Sequence, residues 1–272
     1  MSQLIPPILI EVCVDSVQSA RNAVQGGANR LEVCGNLGAG GGTTPSLGLL
    51  KAIKNSVGPD VPMMAMIRPR MGDFLYSKDE VEVMLEDILL CKQHAVRGVV
   101  LGALKPDGRI DIDTTKRLVI AALPLEVCFH RAFDMTRDAE EALRDVMQIG
   151  GVSRILTSGH GALALESITT LESLCQATQR LAADLSILPG SGINSGTVGP
   201  ILDALLPLGV KEIHLSGGSW IESEMIHRRD GLGMGIGEGE WGIWETSELK
   251  VRAVRQSAED AQSRFSERSR DV

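Results

Sequence analysis

Eight times along this chain a short apolar or β-branched run gives way to a Gly- or Ser-containing loop and then to a longer stretch with helical periodicity. The strand candidates are Ile8–Cys13, Arg30–Cys34, Pro62–Arg68, Gly98–Gly102, Leu125–His130, Arg154–Thr157, Asp184–Pro189 and Glu212–Ser216. Helix candidates fall between and after them, near 16–26, 45–56, 78–95, 113–121, 137–149, 166–183, 194–208 and 245–265. Strands that alternate with helices pair in parallel, because each return to the same sheet edge is made by a crossover helix. Eight such units in 272 residues match a closed (β/α)8 TIM barrel, which typically takes about 250 residues. An open dinucleotide-binding sheet is disfavoured, since no Gly-x-Gly-x-x-Gly follows the first strand.

The expectation is therefore one TIM-barrel domain over residues 1–262. Residues 220–244 are read as a long loop after the eighth strand, because glycines at 231, 233, 235, 237, 239 and 242 interrupt any helix or strand pattern. The polar tail 263–272 is expected to fray. Composition narrows the partners: 27 Lys and Arg against 35 Asp and Glu leave a net charge of −8, which disfavours nucleic acid and anionic membrane surfaces. No apolar run is long enough to span a bilayer, and the opening residues lack the basic start and small-residue cleavage site of a secretory leader. A cytoplasmic protein is expected, with its 5 scattered cysteines kept as thiols.

In such a barrel the chemistry gathers where strands end and βα loops begin. Those ends are rich in polar groups: Glu11-Val12-Cys13, Glu32-Val33-Cys34, Glu126-Val127-Cys128-Phe129-His130 and Glu212-Ile213-His214-Leu215-Ser216. Residues two apart on a strand share a face, so each set projects to one side, and the inward side makes the sharper hypothesis. Neighbouring first and second strands would bring the Cys13 and Cys34 sulfurs within reach of one ion, and thiolates are soft ligands suited to Cu(I). The plainer alternative is that both are small core residues. Inward carboxylates at Glu11, Glu32 and Glu126 would need cations. Arg68, Arg70 and Arg131 at the ends of strands three and five, with Asp73, Asp134 and His130 beside them, suggest a mixed-sign pocket for a small anionic ligand. Thr157 and Ser158 after strand six, the Gly190–Gly192 turn after strand seven, and His214 and Ser216 at strand eight complete that candidate set, the Gly-rich turns being places where barrels hold phosphate.

Several of these stretches together resemble the CutC family of copper-homeostasis proteins. They are Glu11-Val12-Cys13, the run 27–34, Gly41–Ser46, Ile67-Arg68-Pro69-Arg70 with its continuation to Ser77, Phe129–Met135 and Leu156–Gly159. The resemblance implies a TIM barrel, a cytoplasmic setting and copper handling, with Cys13 and Cys34 at the positions proposed to bind Cu(I). The chain departs from the family pattern at Met71, where a glycine is usual, at Gly40, where an acidic residue is common, at Cys128 in place of Thr, and at Leu215 in place of a small polar residue.

Two functions follow as expectations. The first is a cytosolic Cu(I) buffer with copper on Cys13 and Cys34. The second is a barrel enzyme for a small phosphorylated or carboxylated metabolite, with Glu32 and His130 exchanging protons, Asp134 orienting a partner, and Arg68, Arg70 and the Gly190–Gly192 turn gripping the anion. Whether catalysis occurs is left open. A homo-oligomer is expected, since closed symmetric self-association is common among soluble proteins.

Overall fold

The computed structural model describes residues 7–94, 96–181, 184–235 and 237–269. In chain order the elements are β1 (Leu9–Val14), α1 (Val17–Gln25), β2 (Arg30–Val33), α2 (Leu37–Gly40), α3 (Leu47–Val57), β3 (Met63–Met66), α4 (Lys78–Gln93), β4 (Gly98–Leu101) and α5 (Ile112–Ala122). There follow β5 (Glu126–Phe129), α6 (Ala139–Ile149), β6 (Arg154–Thr157), α7 (Ile168–Arg180), β7 (Ser186–Pro189), α8 (Val198–Leu205), β8 (Glu212–Leu215), β9 (Gly218–Ile221), β10 (Ile243–Thr246) and α9 (Glu248–Arg268).

The first eight strands are parallel neighbours in the order β7-β6-β5-β4-β3-β2-β1-β8. β7 and β8 meet at the remaining gap, where the Ser186 hydroxyl donates to Glu212 Oε1 at 3.3 Å. This is the expected (β/α)8 barrel. Its strands read as continuous apolar runs because both faces are buried, as in Met63–Met66 and Gly98–Leu101, where every residue is buried. Five helices begin where a Ser or Asp side chain accepts a first-turn N–H: Ser16 for α1, Ser46 for α3, Asp111 for α5, Asp138 for α6 and Ser247 for α9. α4 opens with a full capping box between Ser77 and Glu80.

The period-two alternation sorts the strands into two cores. Ile10, Val12, Leu31, Ala65, Val99 and Ile213 belong to the layer packed against the helices. Cys13, Cys34, Met64, Met66, Val100, Cys128, Leu156 and Leu188 form a separate cluster inside the barrel. Charged residues share that interior. Arg30 Nε contacts Glu11 Oε2 at 2.5 Å and its Nη2 also pairs with Glu212, while Arg154 Nη2 lies 2.6 Å from Glu126 Oε2. Glu126 thus finds its cation, but at the first residue of β5, the end of the barrel away from the βα loops.

Two expectations are corrected at the chain's last third. The stretch 220–244 is not loop throughout: its ends pair as the antiparallel ribbon of β9 and β10, with Trp220 directly opposite Trp244 and the rings edge to face at 5.5 Å. Cross-strand aromatic pairing holds this ribbon where glycine content alone argues for a loop. The tail is also shorter than expected. α9 runs to Arg268, because Phe265 packs on the core and Arg264 reaches Asp203 at 3.0 Å. Residues 270–272 of that tail, like residues 1–6 of the opening segment, lie outside the described residues. Among the described residues no helix is long and apolar enough to cross a membrane.

Candidate functional site

At the mouth formed by the strand ends lies a cavity of about 570 Å³. Cys13 and Glu32 form one part of its wall with His214. Arg68, Phe74 and His130 form another, and Arg131 and Asp134 a third. The loop after β7 contributes Gly192 and Asn194, that after β8 contributes Ser216, and β10 contributes Trp244.

The register of β1 on β2 decides the first wall. Cys13 stands opposite Glu32, not opposite Cys34. A sulfur of Cys13, a carboxylate oxygen of Glu32 and a ring nitrogen of His214 consequently lie within 4.8 Å of one another, and all three residues are buried. Cys34 is outside that group; its thiol sits 3.4 Å from Glu32 Oε2. Beside Cys13 the register thus places a carboxylate and an imidazole, with the Cys34 thiol behind the carboxylate. Strand adjacency was legible, whereas the offset between the two Glu-Val-Cys runs was not.

Glu11 lies behind this group. Its Oε1 is 2.8 Å from His214 Nδ1, and its Oε2 takes the Arg30 contact. Burial alone would raise the Glu11 carboxyl, but the His214 hydrogen bond and the Arg30 charge outweigh it and hold the group at about 2. Burial would likewise lower His214; the facing Glu32 and Cys13 raise it well above the ordinary histidine value instead. With Nδ1 held by Glu11, Nε2 faces the Cys13 thiol and lies 3.9 Å from Glu32. Burial raises both Glu32 and the Cys13 thiol. A carboxylate that fixes the tautomer and orientation of a histidine whose other nitrogen meets a thiol is the arrangement commonly found behind histidine metal ligands.

The second wall is built on Arg68. Its Nη1 donates to the Gly40 and Gly42 carbonyls at 2.9 and 3.0 Å, and its Nη2 to the Gly72 carbonyl at 2.9 Å, so the guanidinium ties two rim loops together. Phe74 touches both neighbours, its ring centre 4.9 Å from the Arg68 guanidinium carbon and 4.8 Å from the centre of the His130 ring. His130 is pushed down to about 3, first by burial and then by the Arg68 charge, and is therefore a neutral imidazole at neutral pH.

The remaining candidates divide. Asp134 lines the cavity, but its carboxylate is occupied: Ser158 donates through N and Oγ, Thr157 through its hydroxyl, and Arg131 Nε lies 2.8 Å away. Thr157 and Ser158 thus hold Asp134 and do not line the cavity themselves. Arg70 and Asp73 are not brought to it either. They pair with each other at 3.0 Å on the exposed rim, and Arg70 also takes Glu80 at 2.5 Å. Gly190 is buried against Leu156, where an added Cβ would come within 2.6 Å of Leu156 Cδ1. Trp244 and Phe74 were not singled out from the sequence. The Trp pair bracketing the Gly-rich stretch was the one signal that could have found the former.

The match to known proteins covers most of the chain. Residues 8–219 match the CutC family model. The copper homeostasis protein cutC homolog of Mus musculus is 44% identical over 255 residues, covering 93% of this chain and 90% of that protein. A family protein CutC from Chromobacterium violaceum is 40% identical over 254 residues, covering 93% of this chain and 99% of its own length. A solved CutC structure from Streptococcus agalactiae superposes with a TM-score of 0.69 at 29% identity, covering 77% of this chain and 98% of that one.

Proposed function

The chain belongs to the CutC family, and from that premise we propose that it is a copper-homeostasis protein that takes Cu(I) as cargo on the Cys13 sulfur and His214 Nε2. One observation carries the reading: buried Cys13, Glu32 and His214 present donor atoms within 4.8 Å of one another. Cu(I) would displace the protons that burial and the facing groups keep on Cys13 and on His214 Nε2, leaving a thiolate and an imidazole, a donor pair that a soft, low-coordinate ion accepts, with the Glu32 carboxyl beside it. Glu11 orients the imidazole, while Cys34, 3.4 Å from Glu32, is a second thiol held behind the carboxylate, away from the cavity. A reducing cytosol keeps the free cysteines available, and self-association belongs to the same reading.

Anaerobic Cu(I) titration against a chromogenic chelator tests it. One ion per chain is expected for the unaltered protein. Cys13→Ser and His214→Asn should each weaken binding by at least about tenfold, and Cys34→Ser by less. A folded Cys13→Ser/His214→Asn double variant with unchanged Cu(I) affinity would remove the proposal.

A further inference from the structure

Buried polar atoms ordinarily find a hydrogen-bond partner, and those that do not call for a reason. Among the described residues, Arg68 Nε, His130 Nε2 and Glu32 Oε1 are buried without one, and all three residues line the cavity. Trp244 Nε1 is also unpartnered, but its indole edge lies against Gly218, where an added Cβ would come within 2.7 Å of that nitrogen.

Two of the three cavity atoms are donors. The Ala132 N–H donates to His130 Nδ1 at 3.2 Å, so the proton of the neutral ring sits on Nε2. Both Arg68 Nη groups donate to carbonyls, those of Gly40, Gly42 and Gly72, whereas its Nε–H has no partner. The same Phe74 ring supports both side chains. Each residue is less than one-tenth exposed, Arg68 at 7% and His130 at 3%, so bulk water does not satisfy these donors.

We propose that Arg68 Nε and His130 Nε2 form a two-donor seat for the carboxylate of a small organic monoanion, on a wall of the cavity separate from the Cys13–His214 copper site. Charge favours a carboxylate over a phosphate. The seat offers one cation and one neutral donor; Arg131 is already committed to Asp134 and Ser158; and Glu32 puts a further carboxyl group, with no positive charge to offer, into the same cavity. A phosphate dianion calls for more donors and more cations than this. Leaving two N–H groups unmet in a buried wall is costly, and an acceptor that meets both recovers that cost.

Isothermal titration with pyruvate, and with orthophosphate in a parallel arm at matched ionic strength, reads the seat directly. Pyruvate is expected to bind saturably at one site, at least about tenfold more tightly than orthophosphate. His130→Asn keeps an acceptor for the Ala132 N–H but has no donor at the Nε2 position, and should weaken pyruvate by at least about tenfold. His130→Gln can carry an amide N–H out to that position and should stay within about threefold, as should Cys13→Ser. Cu(I) affinity should be unchanged in His130→Asn. No saturable pyruvate binding to the unaltered protein, tighter orthophosphate binding, or a folded His130→Asn that binds pyruvate normally would overturn the seat. A matching loss of Cu(I) affinity in His130→Asn would overturn its separateness from the copper site. Saturable pyruvate binding with no Cu(I) binding to the unaltered protein would leave the seat standing without the copper reading, and Cu(I) binding without pyruvate binding would do the reverse.

Discussion

Gly40 and Met71, two positions where this chain departs from the family pattern, touch each other. A Cβ at residue 40 would lie 2.8 Å from Met71 Sδ, so the methionine occupies the room that a side chain at 40 would need. Both sit beside the Arg68 clamp, which holds the Gly40 carbonyl. The two departures are thus one packing change at the rim. Gly40→Asp alone should overpack this contact and lower the thermal midpoint by roughly 2–4 °C, about 1 kcal/mol, Met71 being partly free to move. In a Met71→Gly background the same substitution should cost measurably less, and a double-mutant cycle by thermal denaturation reads that coupling. Strict additivity would show that the contact carries no energy.

Among the elements, the strands and helices are those their residues call for, to within a few positions at each end, because periodicity and capping residues are local signals. β6 spans Arg154–Thr157 as expected, and α4 begins at its Ser77 capping box. The ribbon of β9 and β10 was the element least legible, because its pairing joins residues some twenty apart in sequence across glycines. Trp220 opposite Trp244 is its main side-chain contact, and Gly38 leaves the space into which the Trp220 ring fits. Trp220→Ala should loosen the ribbon, speed limited proteolysis between residues 222 and 242, and widen the cavity wall that Trp244 forms. An unchanged cleavage rate would count against this role.

For the molecule as a whole, the buried charges join the strands that close the ring. Arg30 on β2 bridges Glu11 on β1 and Glu212 on β8, Glu212 accepts from Ser186 on β7, and Glu11 holds His214 on β8. Removing one partner of such a network leaves an uncompensated charge inside the barrel, so Glu11→Gln should destabilise by about 3–5 kcal/mol in chemical denaturation. The pH dependence has a definite sign. Folding holds Glu11 at about 2 against an ordinary value of 4.5, so its contribution is full above 4.5 and is lost as pH falls toward 2. The acid limb of the stability profile should therefore be shallower in Glu11→Gln than in the unaltered protein over that window. Equal slopes would show that Glu11 does not set it.

The barrel, its eight units and the sharing of one face by Glu11 with Cys13 and by Glu212 with His214 were all present in the sequence, since alternation and helical period act through neighbouring residues, whereas the side that each face turns to was not. Which polar groups meet was decided by tertiary structure alone. A shift of two residues between β1 and β2 set Cys13 against Glu32 in place of Cys34. The turn after β3 sent Arg68 inward and Arg70 to the rim. Glu126, the first residue of its strand, went to the far end of the barrel, where Arg154 and Arg97 meet it. Strand identity is a short-range property of the chain, whereas register and loop course depend on packing between segments far apart in sequence, and the chemistry of this pocket rests on those.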